Sequence, residues 1–150
     1  MKHNDFVYIP GKRKEERIPS RVLEEIVHQQ IKGGHRNLEI EAFGQHGIGG
    51  RLWDAGTDRV HIRIIGYSGQ RTGSLGNANT SIEIMGPASD DLGWLNAGAQ
   101  IVVHGNASNG VMNGAAQGKV FVGGSIGARG MTMTKHNPRF EPPELWVLGS

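Results

Sequence analysis

The sequence predicts an all-β protein: a parallel β-helix, a solenoid of coils of roughly 20 residues, with a short amphipathic helix ahead of it. Three observations carry this: an excess of glycine, a set of strand-like segments that share one apolar register, and a near-constant spacing between them. Glycine fills 24 of the 150 positions against a usual share of about 7 per cent, while proline is ordinary at 6 and no Gly-X-Y period exists. In a chain with normal apolar content, that glycine serves tight turns or close backbone stacking.

The segments LEIEAFG (38–44), VHIRIIG (60–66), SIEIMG (81–86), QIVVHG (100–105) and KVFVGG (119–124) each end on a glycine: Gly44, Gly66, Gly86, Gly105 and Gly124. The residues two and four places before each glycine are Ala42 and Ile40, Ile64 and Ile62, Ile84 and Ile82, Val103 and Ile101, Val122 and Val120. All are apolar. The alternate positions are mixed, among them Glu41, Arg63, Glu83, Val102 and Phe121. One strictly apolar face and one mixed face is the signature of a strand buried on one side.

The glycines are 22, 20, 19 and 19 residues apart. A sixth copy, ELWVLG (144–149), follows an insert (136–144) that widens the last step to 25. A β-sandwich with glycine-rich turns needs neither constant spacing nor a shared register. Between strands run GQHGIGGRL, GYSGQRTGSL, GPASDDLGWL, GNASNGVMNG and GGSIGARGM. Glycine and asparagine there are expected to supply left-handed corners. The turn glycines so assigned are Gly44, Gly66, Gly69, Gly73, Gly86, Gly105, Gly110, Gly114, Gly124 and Gly127.

Residues 1–37 read as an arm and a capping helix, and 38–150 as the β-helix, in one structural domain overall. The arm, 1–18, is polar and charged. Ser20 is expected to cap a helix whose Val22, Leu23, Ile26, Val27 and Ile31 share a face, with Glu24 and Glu25 near its positive end and Gly33-Gly34 ending it. Such a helix is suited to cap one end of the stack. The other end, at ELWVLG, presents an open edge, which is expected to be covered by a partner, a second copy or further residues.

Composition excludes several chemistries. With no cysteine, the chain has no disulfide, thiolate-bound zinc, iron–sulfur cluster or thiol nucleophile of its own. No apolar run of about 18 residues exists, and the N-terminus lacks the apolar stretch of a secretory signal, so a cytoplasmic location without membrane insertion is expected. The pI of 9.2 accompanies a net charge of only +2. The one basic cluster, Lys12, Arg13, Lys14 and Arg17, is interrupted by Glu15 and Glu16, which argues against nucleic acid.

No catalytic, cofactor or metal residue is assigned. GGSIGARG (123–130) lacks a Walker lysine and a following helix, and GQHGIGGRL does not fit the dinucleotide fingerprint. Asp90-Asp91 is an acidic pair, but adjacent carboxylates diverge, and Glu83 lies on a neighbouring strand. His46, His61 and His104 occupy unmatched positions of different coils. Asn79 and Asn106 open formal glycosylation sequons that a cytoplasmic chain would not use. Trp53, Trp94 and Trp146 fit core filling or a partner interface. Arg51, Gln70, Arg71 and Arg129 are candidate surface contacts.

GIGGRL (47–52), GYSGQRTGSL (66–75), GPASDDLGWLNAGAQIVVHGNA (86–107) and GNASNGVMNGAAQGKVFVGGSIGARG (105–130), in that order, resemble successive coils of the C-terminal β-helix domain of glutamate synthase large subunits. The similarity covers about residues 38–133. A related β-helix forms a subunit of formylmethanofuran dehydrogenase. The resemblance implies a right-handed β-helix with a non-catalytic, assembling role in nitrogen assimilation. It implies partners: a glutaminase, and a synthase carrying flavin mononucleotide and an iron–sulfur cluster. The segment 20–34 has no counterpart in that pattern, and the family's β-helix continues past the point matching Gly149. A scaffold in another redox complex is the second expectation. A polysaccharide-cleaving β-helix is the third, disfavoured because residues 72–130 hold only Glu83, Asp90, Asp91, Lys119 and Arg129 as charged groups.

Overall fold

The computed structural model describes residues 6–134 and 138–149, so His136 and Asn137 of the insert lie outside the described residues. Seven strands form one parallel sheet: β1 (Val7–Ile9), β4 (Asn37–Phe43), β5 (Val60–Tyr67), β6 (Thr80–Ile84), β7 (Ala97–Val103), β8 (Gln117–Val122) and β9 (Glu144–Val147), in that spatial order. A two-strand hairpin, β2 (Lys12–Arg13) with β3 (Glu16–Arg17), and one helix, α1 (Ser20–Lys32), lie between β1 and β4. The chain is a parallel β-solenoid of about five turns, of the right-handed β-helix type.

Two aliphatic ladders run through the interior. One stacks Val7, Leu38, Ile62, Ile82, Ile101, Val120 and Leu145; the other stacks Ile9, Ile40, Ile64, Ile84, Val103, Val122 and Val147. From Leu38 to Val122 every member is at most 1 % exposed, so each contributes about 1.5–3 kcal/mol of apolar burial. The steps along the first ladder from Leu38 are 24, 20, 19, 19 and 25 residues.

The first of those steps corrects the glycine alignment. Gly66 pairs with Ala42, while Gly44 lies beyond the paired strand and donates its N–H to Tyr67 O at 2.9 Å. The first coil is two residues longer than its glycines indicate. Because strand side chains alternate with a period of 2, a slip of two leaves every inward residue inward and only changes its neighbour.

Each coil has one strand. Its other wall is a ribbon of turns in which every second residue is left-handed: 47, 49 and 51; 71, 73 and 75; 91, 93 and 95; 110, 112 and 114; 129, 131 and 133. Glycine takes some of these positions, but Arg51, Arg71, Leu75, Asp91, Leu95, Met112, Arg129, Met131 and Met133 take the rest, and asparagine none. The expectation that glycine and asparagine supply the left-handed corners holds for glycine in part and is corrected for asparagine, whose place other side chains take. Coil-to-coil hydrogen bonding holds the unusual angles: Gly73 donates to Ile48 O, Gly93 to Thr72 O, and Leu75 to Trp94 O, at 2.8–2.9 Å.

The turn glycines divide by role. Gly44, Gly66, Gly73, Gly110 and Gly114 have positive φ; Gly69, Gly86, Gly105, Gly124 and Gly127 do not, and lie so close to the preceding coil that a Cβ would meet its atoms, as it would at Gly66 and Gly110 too.

The N-terminal segment departs from its reading as a polar arm. VYI adds a strand to the free edge of β4, and residues 12–17 turn back through Lys14 and Glu15, both at positive φ, as a two-residue hairpin requires. The basic cluster is thus a hairpin packed on the first corner, with Lys12 Nζ 4.2 Å from the centre of the Phe43 ring. Helix α1 buries Leu23, Val27 and Ile31, and packs against Ile48, Gly49 and Gly50 of the first ribbon. Ser20 is its first residue and does not cap it. Pro19 holds the cap position, and the Ser20 hydroxyl accepts the His46 N–H at 2.9 Å. Gly33 and Gly34 end the helix as expected, their amides bonding to Gln29 O and Ile31 O.

Gln45, fully buried, ties these parts together. Its amide nitrogen donates to Gly11 O and Ile18 O, and its oxygen accepts the Phe43 N–H. Gly11 O also accepts the Ile18 N–H at 2.8 Å, so Gln45→Ala takes from Ile18 O and the Phe43 N–H the side-chain partner each has, at about 1–3 kcal/mol each where water cannot replace it. The expected result is a destabilisation of about 2–4 kcal/mol in urea unfolding; a change below about 0.5 kcal/mol contradicts the arrangement.

Candidate interaction faces

The outward side of the sheet is divided along its length. One outward row reads Tyr8, Glu39, Arg63, Glu83, Val102, Phe121 and Trp146. Its first four members are polar and its last three apolar.

The polar half is tied by charge. Arg63 reaches Glu39 at 3.4 Å and Glu83 at 3.8 Å, and His104 Nε2 lies 2.7 Å from Glu83 Oε2. The Tyr8 hydroxyl donates to Glu41 at 2.8 Å, and that carboxylate raises its pKa above the ordinary value. These pairs are exposed or half-buried, so solvent screens them and they order the face more than they stabilise the fold.

The apolar half is Val102, Phe121 and Trp146, with Leu148 two residues beyond Trp146; Met85, two residues beyond Glu83, is exposed as well. Met85, Trp146 and Leu148 are 45 %, 57 % and 87 % exposed. The Phe121 and Trp146 rings stack with centroids 6.4 Å apart and planes 11° from parallel. The Trp146 indole N–H donates to Glu144 Oε1, and Glu144 also pairs with Lys119 at 3.7 Å, so the ring is held in place. Exposed apolar side chains gathered at one end of a sheet mark contact surfaces in proteins. Preorganised aromatic rings suit it to the role of an anchor.

The groups singled out in the sequence are dispersed. Asp90 belongs to a polar ladder on the loop side, where a side chain of one coil accepts an amide of the next. His46 Nδ1 takes the Gln70 N–H, Asp90 that of Asn109, Asn106 that of Ser125, and Asn109 that of Ala128, all at 2.7–3.0 Å. The Ser108 hydroxyl, the Asn109 N–H and the charge of Arg129 together hold the Asp90 carboxyl below its ordinary pKa of 3.8.

A depressed folded-state pKa adds stability above the unfolded value, and that stability is lost as pH falls through the folded one. Asp90→Asn keeps an acceptor but removes the titration. The melting temperature of the native chain is therefore expected to fall more between pH 7 and pH 3 than that of the variant; an identical fall excludes the contribution.

Glu83 lies on the sheet face, bonded to Arg63 and His104, away from the Asp90 ladder. His46 is in the first ribbon, and His61 and His104 are on the sheet. Among the described residues, no three histidine, aspartate or glutamate side chains gather as a metal site. Trp53 and Trp146 are each 57 % exposed, and Trp94 is half-buried under the Arg71 guanidinium at 4.6 Å, so none fills the core. Asn79 is buried and donates to Gly56 O at 2.8 Å. Its sequon is a structural corner. No helix among the described residues is long and apolar enough to cross a membrane.

Two features escape a sequence reading. The Glu83–His104 contact joins residues 21 apart, Glu83 on β6 and His104 one residue past the end of β7, visible only once the register is fixed. His28 Nε2, on α1, is buried without a hydrogen-bond partner, a consequence of how the helix docks.

No family model, curated protein or solved structure matches the chain.

Proposed function

We propose that the chain is a non-catalytic structural subunit or domain of a glutamate-synthase-type oxidoreductase, bracing glutaminase and flavin-bearing synthase partners against each other. The observation that carries the reading is the outward apolar row Val102, Phe121 and Trp146, of which Trp146 and the nearby Leu148 are exposed, on a repetitive frame. Two uninterrupted aliphatic ladders make such a frame stiff along its axis, as bracing requires. The motif series resembling the glutamate synthase β-helix supports the choice of enzyme class. In that reading flavin mononucleotide and the iron–sulfur cluster sit on the partners, since this chain has no cysteine to ligate a cluster.

The test is mild-salt affinity isolation of the tagged chain from its own host, with flavin absorbance and mass identification of the eluate. A flavin- and cluster-bearing synthase with a glutaminase is the expected result. A colourless chain without those partners contradicts the proposal, and a different redox enzyme would place the same scaffold in another complex.

A further inference from the structure

The cleft beside the first turn of α1 gathers positive charge from three separate parts of the chain. Arg21 comes from the helix, Arg51 from the first ribbon and Arg71 from the second; His46, Ser20, Glu24 and Ser74 are among the other lining residues. The cleft has a volume of about 360 Å³. That is within the range of small-molecule sites.

None of the three guanidiniums forms an ion pair among the described residues. Arg71 is steadied by stacking on Trp94, which leaves its N–H fork available at the edge. His46 Nδ1 accepts the Gln70 N–H, so the proton of the neutral ring sits on Nε2, and this nitrogen too is a donor. Against these donors stands one carboxylate, Glu24.

Three cations lining one concavity repel each other, and the field they focus there favours an anion. Guanidinium forks match carboxylate and phosphate oxygens in bidentate pairs. One monoanion leaves most of that charge unbalanced. We infer that the cleft binds a small molecule with at least two negative charges, a phosphate ester or a dicarboxylate. The site is distinct from the apolar sheet face, and its existence does not depend on which enzyme the chain serves.

The test is thermal unfolding of the full chain titrated with inorganic phosphate and, separately, with succinate, each against sodium chloride of equal ionic strength. A saturable rise in melting temperature with either probe is expected, roughly 5 °C or more at a hundredfold excess over Kd. Phosphate alone acting assigns the phosphate ester; succinate alone assigns the dicarboxylate.

Arg51→Gly removes one guanidinium at a backbone angle, φ 58°, that glycine adopts without strain. The ligand-free variant therefore melts no lower than the native chain, and its affinity falls at least tenfold. Failure of both probes to exceed the chloride control overturns the inference, as does undiminished affinity in both Arg51→Gly and Arg71→Lys.

Discussion

Gly73→Ala is expected to destabilise the chain by about 2–4 kcal/mol, a loss of roughly 6–12 °C in melting temperature. Gly73 holds φ 70°, and a Cβ there would stand 2.6 Å from Ile101 Cδ1 and 3.3 Å from Ile82 Cδ1. The left-handed angle accounts for about 1–2 kcal/mol and the overpacking for the remainder. Ile101 is fully buried, so its terminal methyl has no free space to enter. Here the ribbon wall touches the ladder of the opposite sheet, and this contact sets the thickness of the coil.

Ile101→Val removes the offending methyl. Alone it costs about 0.5–1.5 kcal/mol. Combined with Gly73→Ala it is expected to recover at least about 1 kcal/mol relative to the sum of the single changes, read from urea midpoints of all three variants. Strict additivity would mean that the two walls do not meet at this point.

Replacing Phe121 and Trp146 together by serine is expected to abolish capture of the partner while leaving the fold intact. Trp146 is more than half exposed and Phe121 is half-buried on the outer face, so their removal opens no cavity in the core. Exposed positions of this sort usually change stability by less than about 1 kcal/mol, whereas aromatic anchors of an interface contribute about 2 kcal/mol or more to binding. A thirtyfold or greater loss of affinity with an unchanged melting temperature is the expected pair of results. Glu39→Gln, on the polar half of the same outward row, serves as the control and keeps binding. Equal losses in the control and the double variant would place the contact elsewhere.

The inner face was legible in the sequence because it depends only on local alternation. Ile62, Ile82, Ile101 and Val120 are apolar at a period of 2, and a parallel stack turns that period into a ladder whatever its exact register. The outer row demands more. Arg63 opposite Glu39 rather than Glu41 follows from the 24-residue first step, which the glycines understate by two because Gly44 lies past the end of the pairing. Residues 7–9 are too few to signal a strand alone; β4 supplies the edge that orders them.

Left-handed Arg51, Leu75 and Met112 break the usual preference for glycine because hydrogen bonds from neighbouring coils impose the ribbon on whatever residue stands there. The apolar end of the outer face was present in the sequence as Val102, Phe121 and Trp146, but its continuity across three strands is a property of stacking. The cationic cleft was invisible, since it forms only when α1 docks and brings Arg21 to Arg51 and Arg71. Arg51 and Arg71 are surface-contact candidates from the sequence alone, whereas Arg21, on α1, joins them only through the docking of that helix.

The most direct measurement is site-specific photo-crosslinking in the host cell, with a photoreactive amino acid placed once at Trp146 and once at Glu39. The two positions share an outward row and lie on β9 and β4, at opposite ends of the charge-to-apolar division. A crosslink from position 146 to a flavin-bearing synthase polypeptide is expected, and none to it from position 39. Crosslinking of that polypeptide from position 39 alone, or from neither position, would contradict the proposal that the apolar face is where such a partner docks.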